Sequence, residues 1–208
     1  MVDSALEFID LVFPVTGYRL PSCHGYELFS SLSGITPELH DDSRVSFLTI
    51  SGMPDKTGLI YLDRHSRLRL RMPYTDIPKY SCLAGKTLFV ARHRIVLGIP
   101  EIEILVPAER LKSRIVVLAE ALEPEVFTRV AQERLQSFGI NGTVRVPYTN
   151  GQPHRKVMFL KGRRFVGFSA VVENLSAADS LYLQARGMGK RRHMGCGFFL
   201  PYVSESFS

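Results

Sequence analysis

Arg186-Gly187-Met188-Gly189-Lys190-Arg191-Arg192-His193-Met194-Gly195-Cys196-Gly197-Phe198-Phe199 sets four glycines around three consecutive cations and a histidine. Glycine admits φ > 0 and lets the main chain come close to a ligand. Amide N–H groups freed by such a turn can form a concavity for an anion. Lys190, Arg191 and Arg192 add the charge that phosphate attracts. Two readings stand side by side: a loop that holds a phosphate-bearing polymer or nucleotide, or a capped helix end running through a solvated basic turn into a strand.

The flanks of this stretch set the fold. Ser176 with Asp179 three residues on predicts a capped helix ending near Arg186. Phe198 to Val203 predicts the strand that follows. Further upstream, Arg114 to Leu118 reads as a strand. Pro124 at a start, Gly139 past an end, and Val126, Phe127, Val130, Ala131 and Leu135 at helical spacing predict a long helix. Gly142 to Pro147, Val157 to Leu160 and Phe165 to Val172 read as strands, with a charged hairpin turn at Lys161-Gly162-Arg163-Arg164. The first half follows a similar plan. Leu6 to Val15 reads as a strand, His24 to Leu32 as a helix with Leu28, Phe29, Leu32 and Ile35 on one stripe, and Thr36 to Ser43 as a polar connection. Strands follow at Val45 to Ser51, Leu59 to Leu62 and Leu68 to Met72, then a short helix within Pro73 to Leu83 and a strand from Lys86 to Val96. The pattern βαββαβ occurs twice. The expected fold is therefore α+β: two ferredoxin-like (RRM-like) domains in tandem, 1–104 and 105–208, with the glycine-rich loop near the end. A single mixed α+β domain is the alternative.

The 208 residues are 45% hydrophobic, enough for a core, and carry a net charge of +6, which favours polyanions as partners. Three cysteines, with no secretory leader read before them, point to a reducing, cytoplasmic setting rather than a disulfide scaffold. Apolar runs are short and broken by charge, so no membrane span is expected. A Walker loop needs G-x-x-x-x-G-K-[ST], but Gln184 occupies the first glycine's place and Arg191 follows Lys190. Cys23, His24, His193 and Cys196 form no C-x-x-C pair, so a zinc site is not expected.

The loop 187–199, the segment Leu20 to Phe29 (LPSCHGYELF) and the segment Pro37 to Asp42 (PELHDD) together resemble one family. The chain is similar to the CRISPR-associated endoribonucleases of the RAMP superfamily that cut precursor CRISPR RNA for antiviral defence, most of all the myxobacterial (MYXAN) type. The resemblance implies metal-independent cleavage within repeat RNA, no cofactor, and a histidine near the end of the first helix. That role falls on His40, with His24 as the other candidate and Tyr26 as an assisting hydroxyl. Some relatives carry a lysine shortly after the histidine; here the neighbourhood offers Arg44. CRISPR repeat RNA is the implied partner, and other CRISPR effector subunits are further candidates. The other functions in view are a non-catalytic RNA-binding RAMP subunit and a basic domain that contacts a protein.

The chemistry explains the interest in histidine. A base takes the proton of the 2′-hydroxyl, an acid protonates the leaving 5′-oxygen, and imidazole suits both tasks near neutral pH. The products would be a 2′,3′-cyclic phosphate and a 5′-hydroxyl. His40 is read either as catalyst or as a surface histidine, and His24 as catalyst or packing residue. His193, flanked by cations, points to RNA contact rather than acid–base work. Candidate RNA contacts are Gly187, Gly189, Lys190, Arg191, Arg192, His193, Gly195, Gly197, Arg163 and Arg164. Arg67, Arg69 and Arg71 alternate on one strand face, either as a phosphate track or as the wet side of a sheet.

Overall fold

The computed structural model describes residues 7–119, 121–160 and 163–202, with the backbone alone at 159 and 160. The chain separates into two compact units. Glu7–Ile104 and His193–Gly195 make up one, and Leu105–Arg192 with residues 196–202 the other.

The N-terminal unit is built on the strand β1 (Phe8–Gly17). It continues through β2 (Arg19–Pro21), α1 (Gly25–Ser33), a 3-10 turn at Pro37–His40, β3 (Ser46–Leu48), β4 (Met53–Pro54), β5 (Leu59–Tyr61) and β6 (Arg67–Pro73). After α2 (Ile77–Tyr80), flanked by 3-10 turns, come β7 (Thr87–Val90), β8 (His93–Leu97) and β9 (Glu101–Ile104). The main sheet is antiparallel in the order β3-β6-β1-β8-β7, while β9 also pairs with β1. β1 is central because it changes partner along its length: Ile9 to Val12 face β9, and Val15 to Gly17 face β8. The change falls at Pro14, which has no N–H to donate but accepts the Gly98 N–H at 2.8 Å. Leu11, Phe13, Leu68, Leu70 and Met72 turn one face of this sheet into a core with Leu28, Phe29 and Leu32 of α1. Helix α1 is tied to the β7 strand where Ser31 Oγ donates to the Phe89 carbonyl at 2.5 Å.

The opposite face holds the alternating arginines, and neither expectation for them is met. Arg71 lies directly across from Asp10. It is buried and donates to Asp10 Oδ1 at 2.7 Å and Oδ2 at 2.8 Å. Arg69 bridges Asp10 at 2.9 Å and Glu103 at 2.5 Å, and Arg67 caps the carbonyls of Arg64 and Ser66. Arg69 and Arg71 are cross-strand ties within the sheet, Arg67 is a local one, and all three are committed to protein oxygens. A second correction concerns Lys86 to Val96, expected as one strand. It is a hairpin turning at Ala91 and Arg92, whose φ values are 47° and 70°. Such a two-residue turn is commonly marked by glycine or asparagine, and neither is present here.

The C-terminal unit contains β10 (Leu111–Val116), α3 (Pro124–Ser137), β11 (Thr143–Arg145), β12 (Tyr148–Thr149), β13 (Gln152–Pro153), β14 (Arg155–Leu160), β15 (Arg163–Glu173), α4 (Ala177–Arg186) and β16 (Phe199–Pro201). Its antiparallel sheet runs β11-β15-β10-β16, with β14 against the first half of β15. Phe127, Ala131 and Leu135 of α3 and Leu183 of α4 pack with Leu111, Phe168, Val172 and Phe199. The two helices begin and end as their sequences predict: Pro124 opens α3, and Ser176 Oγ accepts the Asp179 N–H at 3.1 Å to cap α4. Lys161 and Gly162, expected at a hairpin turn, lie outside the described residues. Among the described residues, no helix is long and apolar enough to cross a membrane.

Candidate functional site

One phenyl ring in the N-terminal unit carries two imidazoles. Phe29 lies on the core stripe of α1 and is 6% exposed. The His40 ring meets it edge-on, with centroids 5.1 Å apart and planes at 72°. The His193 ring stacks on it at 5.4 Å and 12°. His40 is exposed, and among the described residues neither of its ring nitrogens has a hydrogen-bond partner. His193 is half-buried. Its Nε2 lies 3.0 Å from the Asp42 carbonyl oxygen, which can only accept, so Nε2 carries the proton. Nδ1 of His193 has no partner among the described residues.

Local chemistry explains why His40 and Asp42 sit where they do. Helix α1 ends where Thr36 returns both its N–H and its hydroxyl to the Leu32 carbonyl. Pro37 then opens a 3-10 turn that buries Leu39 and leaves His40 outside. The next residues are clamped. Arg44 donates from N and Nε to Asp42 Oδ1 at 3.0 and 3.1 Å, and from Nη2 to Oδ2 at 2.8 Å. The same Nη2 reaches Asp76 Oδ2 at 2.8 Å, while Lys79 holds Asp76 Oδ1 at 2.6 Å. Burial pushes the Asp42 carboxyl up, but the Arg44 hydrogen bonds outweigh it and hold Asp42 below the usual carboxylate range. Burial, reinforced by the carboxylates of Asp42 and Asp76, pushes the Tyr80 phenol up to about 12. Arg44 therefore secures the turn rather than standing free as a cation for phosphate.

Residues 193–195 are seated by close contact. A Cβ on Gly25 would overlap the Met194 carbonyl oxygen, so only glycine lets the first turn of α1 lie this near the segment. Gly195, at φ 78°, sits against Thr49, whose Cγ2 would be 2.7 Å from an added Cβ.

His24 is placed differently from the expectation that made it a second catalytic candidate. It is 1% exposed. Its Nδ1–H donates to the Pro21 carbonyl at 2.6 Å, and its Nε2 accepts the Ile50 N–H at 3.1 Å. Both ring nitrogens serve the main chain, which fixes the tautomer and leaves no site for a substrate proton. Tyr26 lies half-buried on the first turn of α1.

The rest of the basic loop belongs to the C-terminal unit. Amides expected to be free for an anion are partly committed: Met188 N donates to Gly197 O at 3.2 Å, Lys190 N to Val117 O at 2.9 Å, Cys196 N to Arg191 O at 3.3 Å and Gly197 N to Ile115 O at 2.7 Å. Gly187, Gly189 and Gly197 each lie against a main-chain oxygen, so much of the glycine content serves close packing. Lys190 is exposed. The Arg191 guanidinium covers the Phe165 ring at 3.6 Å, and Arg192 Nη2 donates to the Ala185 carbonyl at 3.4 Å. Arg163 and Arg164 are exposed at the start of β15. Among the described residues, no group of three or more His, Cys, Asp or Glu side chains is placed to hold a metal.

Sequence reasoning missed Phe29 and Asp42 as parts of this site. Phe29 carries only the signal of a core stripe, and Asp42 that of a polar loop. Nothing in either pattern predicts an imidazole from residue 193 between them.

The chain is thus an α+β protein with two antiparallel sheets, helices α1 and α3 after their first central strands, and an exposed imidazole after α1. The sequence model described as Cas6 Crispr matches residues 9–204, so the chain belongs to the Cas6 family. It is 37% identical over 194 residues to the CRISPR-associated endonuclease Cas6 of Myxococcus xanthus strain DK1622, covering 93% of this chain and 81% of that protein. Among solved structures it resembles a CRISPR-associated protein Cas6, with a TM-score of 0.64, 16% identity, and 94% and 99% of the two chains covered. It also resembles the product of a Cas6-related gene from Pyrococcus furiosus, at 0.60, 12%, and 96% and 99%. A third likeness is to a RAMP protein described as binding different RNA substrates, at 0.61, 12%, and 92% and 98%. The family resemblance drawn from the loop and the two N-terminal segments is met by these relatives.

Proposed function

We propose that the chain is a cytoplasmic, metal-independent endoribonuclease that cleaves CRISPR repeat RNA and keeps its product bound. The observation that carries the reading is His40: an exposed imidazole with both ring nitrogens unpartnered among the described residues, braced on Phe29. Cleavage runs by attack of the 2′-hydroxyl on the adjacent phosphorus, leaving a 2′,3′-cyclic phosphate and a 5′-hydroxyl. His40 exchanges a proton with the reacting oxygens. Tyr26 supplies a hydroxyl to the same substrate, and His24 holds the chain beneath it. The exposed cations Lys190, Arg163 and Arg164, with Arg191, Arg192 and the loop glycines Gly187, Gly189, Gly195 and Gly197, take the RNA backbone. We read the chain as two ferredoxin-like domains, 1–104 and 105–208, with residues 193–195 of the second half packed into the first unit. Strand orders β3-β6-β1-β8 and β11-β15-β10-β16 support this, because each sets the second, third, first and fourth strands of a βαββαβ run side by side. The test is incubation of a cognate repeat transcript in EDTA, with end analysis of the fragments. Fragments with cyclic phosphate and 5′-hydroxyl ends are expected. Tight binding without scission in any buffer would instead make the chain a non-catalytic RNA-binding RAMP subunit.

A further inference from the structure

Transesterification of RNA moves two protons. The 2′-oxygen loses one as its bond to phosphorus forms, and the 5′-oxygen gains one as its bond to phosphorus breaks. A single exposed imidazole can serve one of these transfers at a time. His193 stands on the same phenyl ring as His40, with one nitrogen tied to a carbonyl and the other open among the described residues. A ring nitrogen whose partner N–H is fixed by a backbone carbonyl is held in one tautomer and one orientation, an arrangement that prepares the second nitrogen for proton transfer.

We propose that His193 is the second proton-transfer residue of the cleavage centre, working through Nδ1 as the partner of His40 on the Phe29 ring; this rests on the reading of the chain as an RNA-cleaving enzyme. One imidazole takes the 2′-hydroxyl proton and the other supplies the proton that leaves with the 5′-oxygen. The two rings end a turnover with their protonation states exchanged, and solvent resets them. Packing by itself would account for the stacking on Phe29. The segment is also seated through Gly25 and Gly195, with the imidazole fixed at Nε2 and Nδ1 open among the described residues. The titratable and charged groups on the elements packed against His193 are Tyr26 and Glu27 on α1, and Glu38, His40, Asp41, Asp42 and Arg44 on the following turn.

His193→Gln tests the assignment. The glutamine amide can donate to the Asp42 carbonyl as Nε2–H does, but it offers no titrating nitrogen. Single-turnover cleavage of repeat RNA is expected to fall by about 10²–10⁴-fold. The fall in rate should exceed any fall in RNA affinity, and the pH–rate profile should lose one of its two limbs. A fall of less than about tenfold, a profile that keeps both limbs, or a loss confined to RNA binding overturns the proposal. If H193Q does not fold, His193→Ala assayed with added imidazole decides: restored cleavage supports the role, and no restoration overturns it. Failure of the unmodified protein to cut the RNA at all would remove the nuclease reading itself, an outcome distinct from normal cutting by H193Q.

Discussion

Gly25→Ala probes the seating of residues 193–195 without touching an imidazole. The added methyl would overlap the Met194 carbonyl oxygen, stand 3.1 Å from the Met194 carbonyl carbon and 3.4 Å from Thr49 Cγ2. The first contact is against backbone, so no side-chain rotation relieves it. The segment must move by about 1 Å, a misplacement that can lower a rate by about 10²-fold. Overpacking of this kind destabilises by roughly 1–3 kcal/mol. For a chain of this size that lowers the melting temperature by roughly 2–12 °C. The assay is single-turnover cleavage of repeat RNA beside a thermal melt and a binding titration. We expect a folded variant that binds RNA, melts modestly lower and cuts about 100-fold more slowly. A folded Gly25→Ala protein that cuts at the normal rate would refute the argument that this segment belongs to the reaction centre.

Other perturbations reach the sheet, the loop and the turn. Arg71→Met removes two hydrogen bonds from the buried Asp10 carboxylate and leaves it paired with Arg69, and is expected to lower stability by about 1–3 kcal/mol in urea unfolding, more than any exposed arginine substitution. Replacing Lys190, Arg191 and Arg192 together should weaken RNA binding and flatten the dependence of log K on log salt, since fewer phosphates are neutralised; an unchanged slope would exclude the loop from the interface. Asp42 has a lowered folded-state pKa. The stability it adds is therefore fully present above its ordinary value of 3.8 and is lost as pH falls through the folded value. Acid unfolding curves of Arg44→Ala should show a smaller loss of stability across that window than the unmodified chain.

Much of this fold could be read from the residues, because the strongest local signals act locally. Pro124 opens α3 and Gly139 follows its end; Ser176 caps α4; Leu68, Leu70 and Met72 alternate into the core. The hairpin at Ala91 and Arg92 was hidden because its positive φ values fall on residues that carry no turn signal. The arginines of β6 misled for a related reason. Period-two spacing gives the face on which a side chain lies, but not the acid across the sheet that it meets. His40 was legible through its motif. The stacking of His193 on Phe29 was not, since it joins residues far apart in the chain through a contact with no local pattern. His24 shows the converse: its type suits catalysis, and only its two main-chain hydrogen bonds reveal its structural work.

The most direct test compares His40→Ala with the unmodified chain on a cognate repeat RNA in EDTA. The account predicts that the variant binds the RNA as before and that cleavage is lost. Cleavage by the variant at the rate of the unmodified chain, with the same fragment ends, would contradict it.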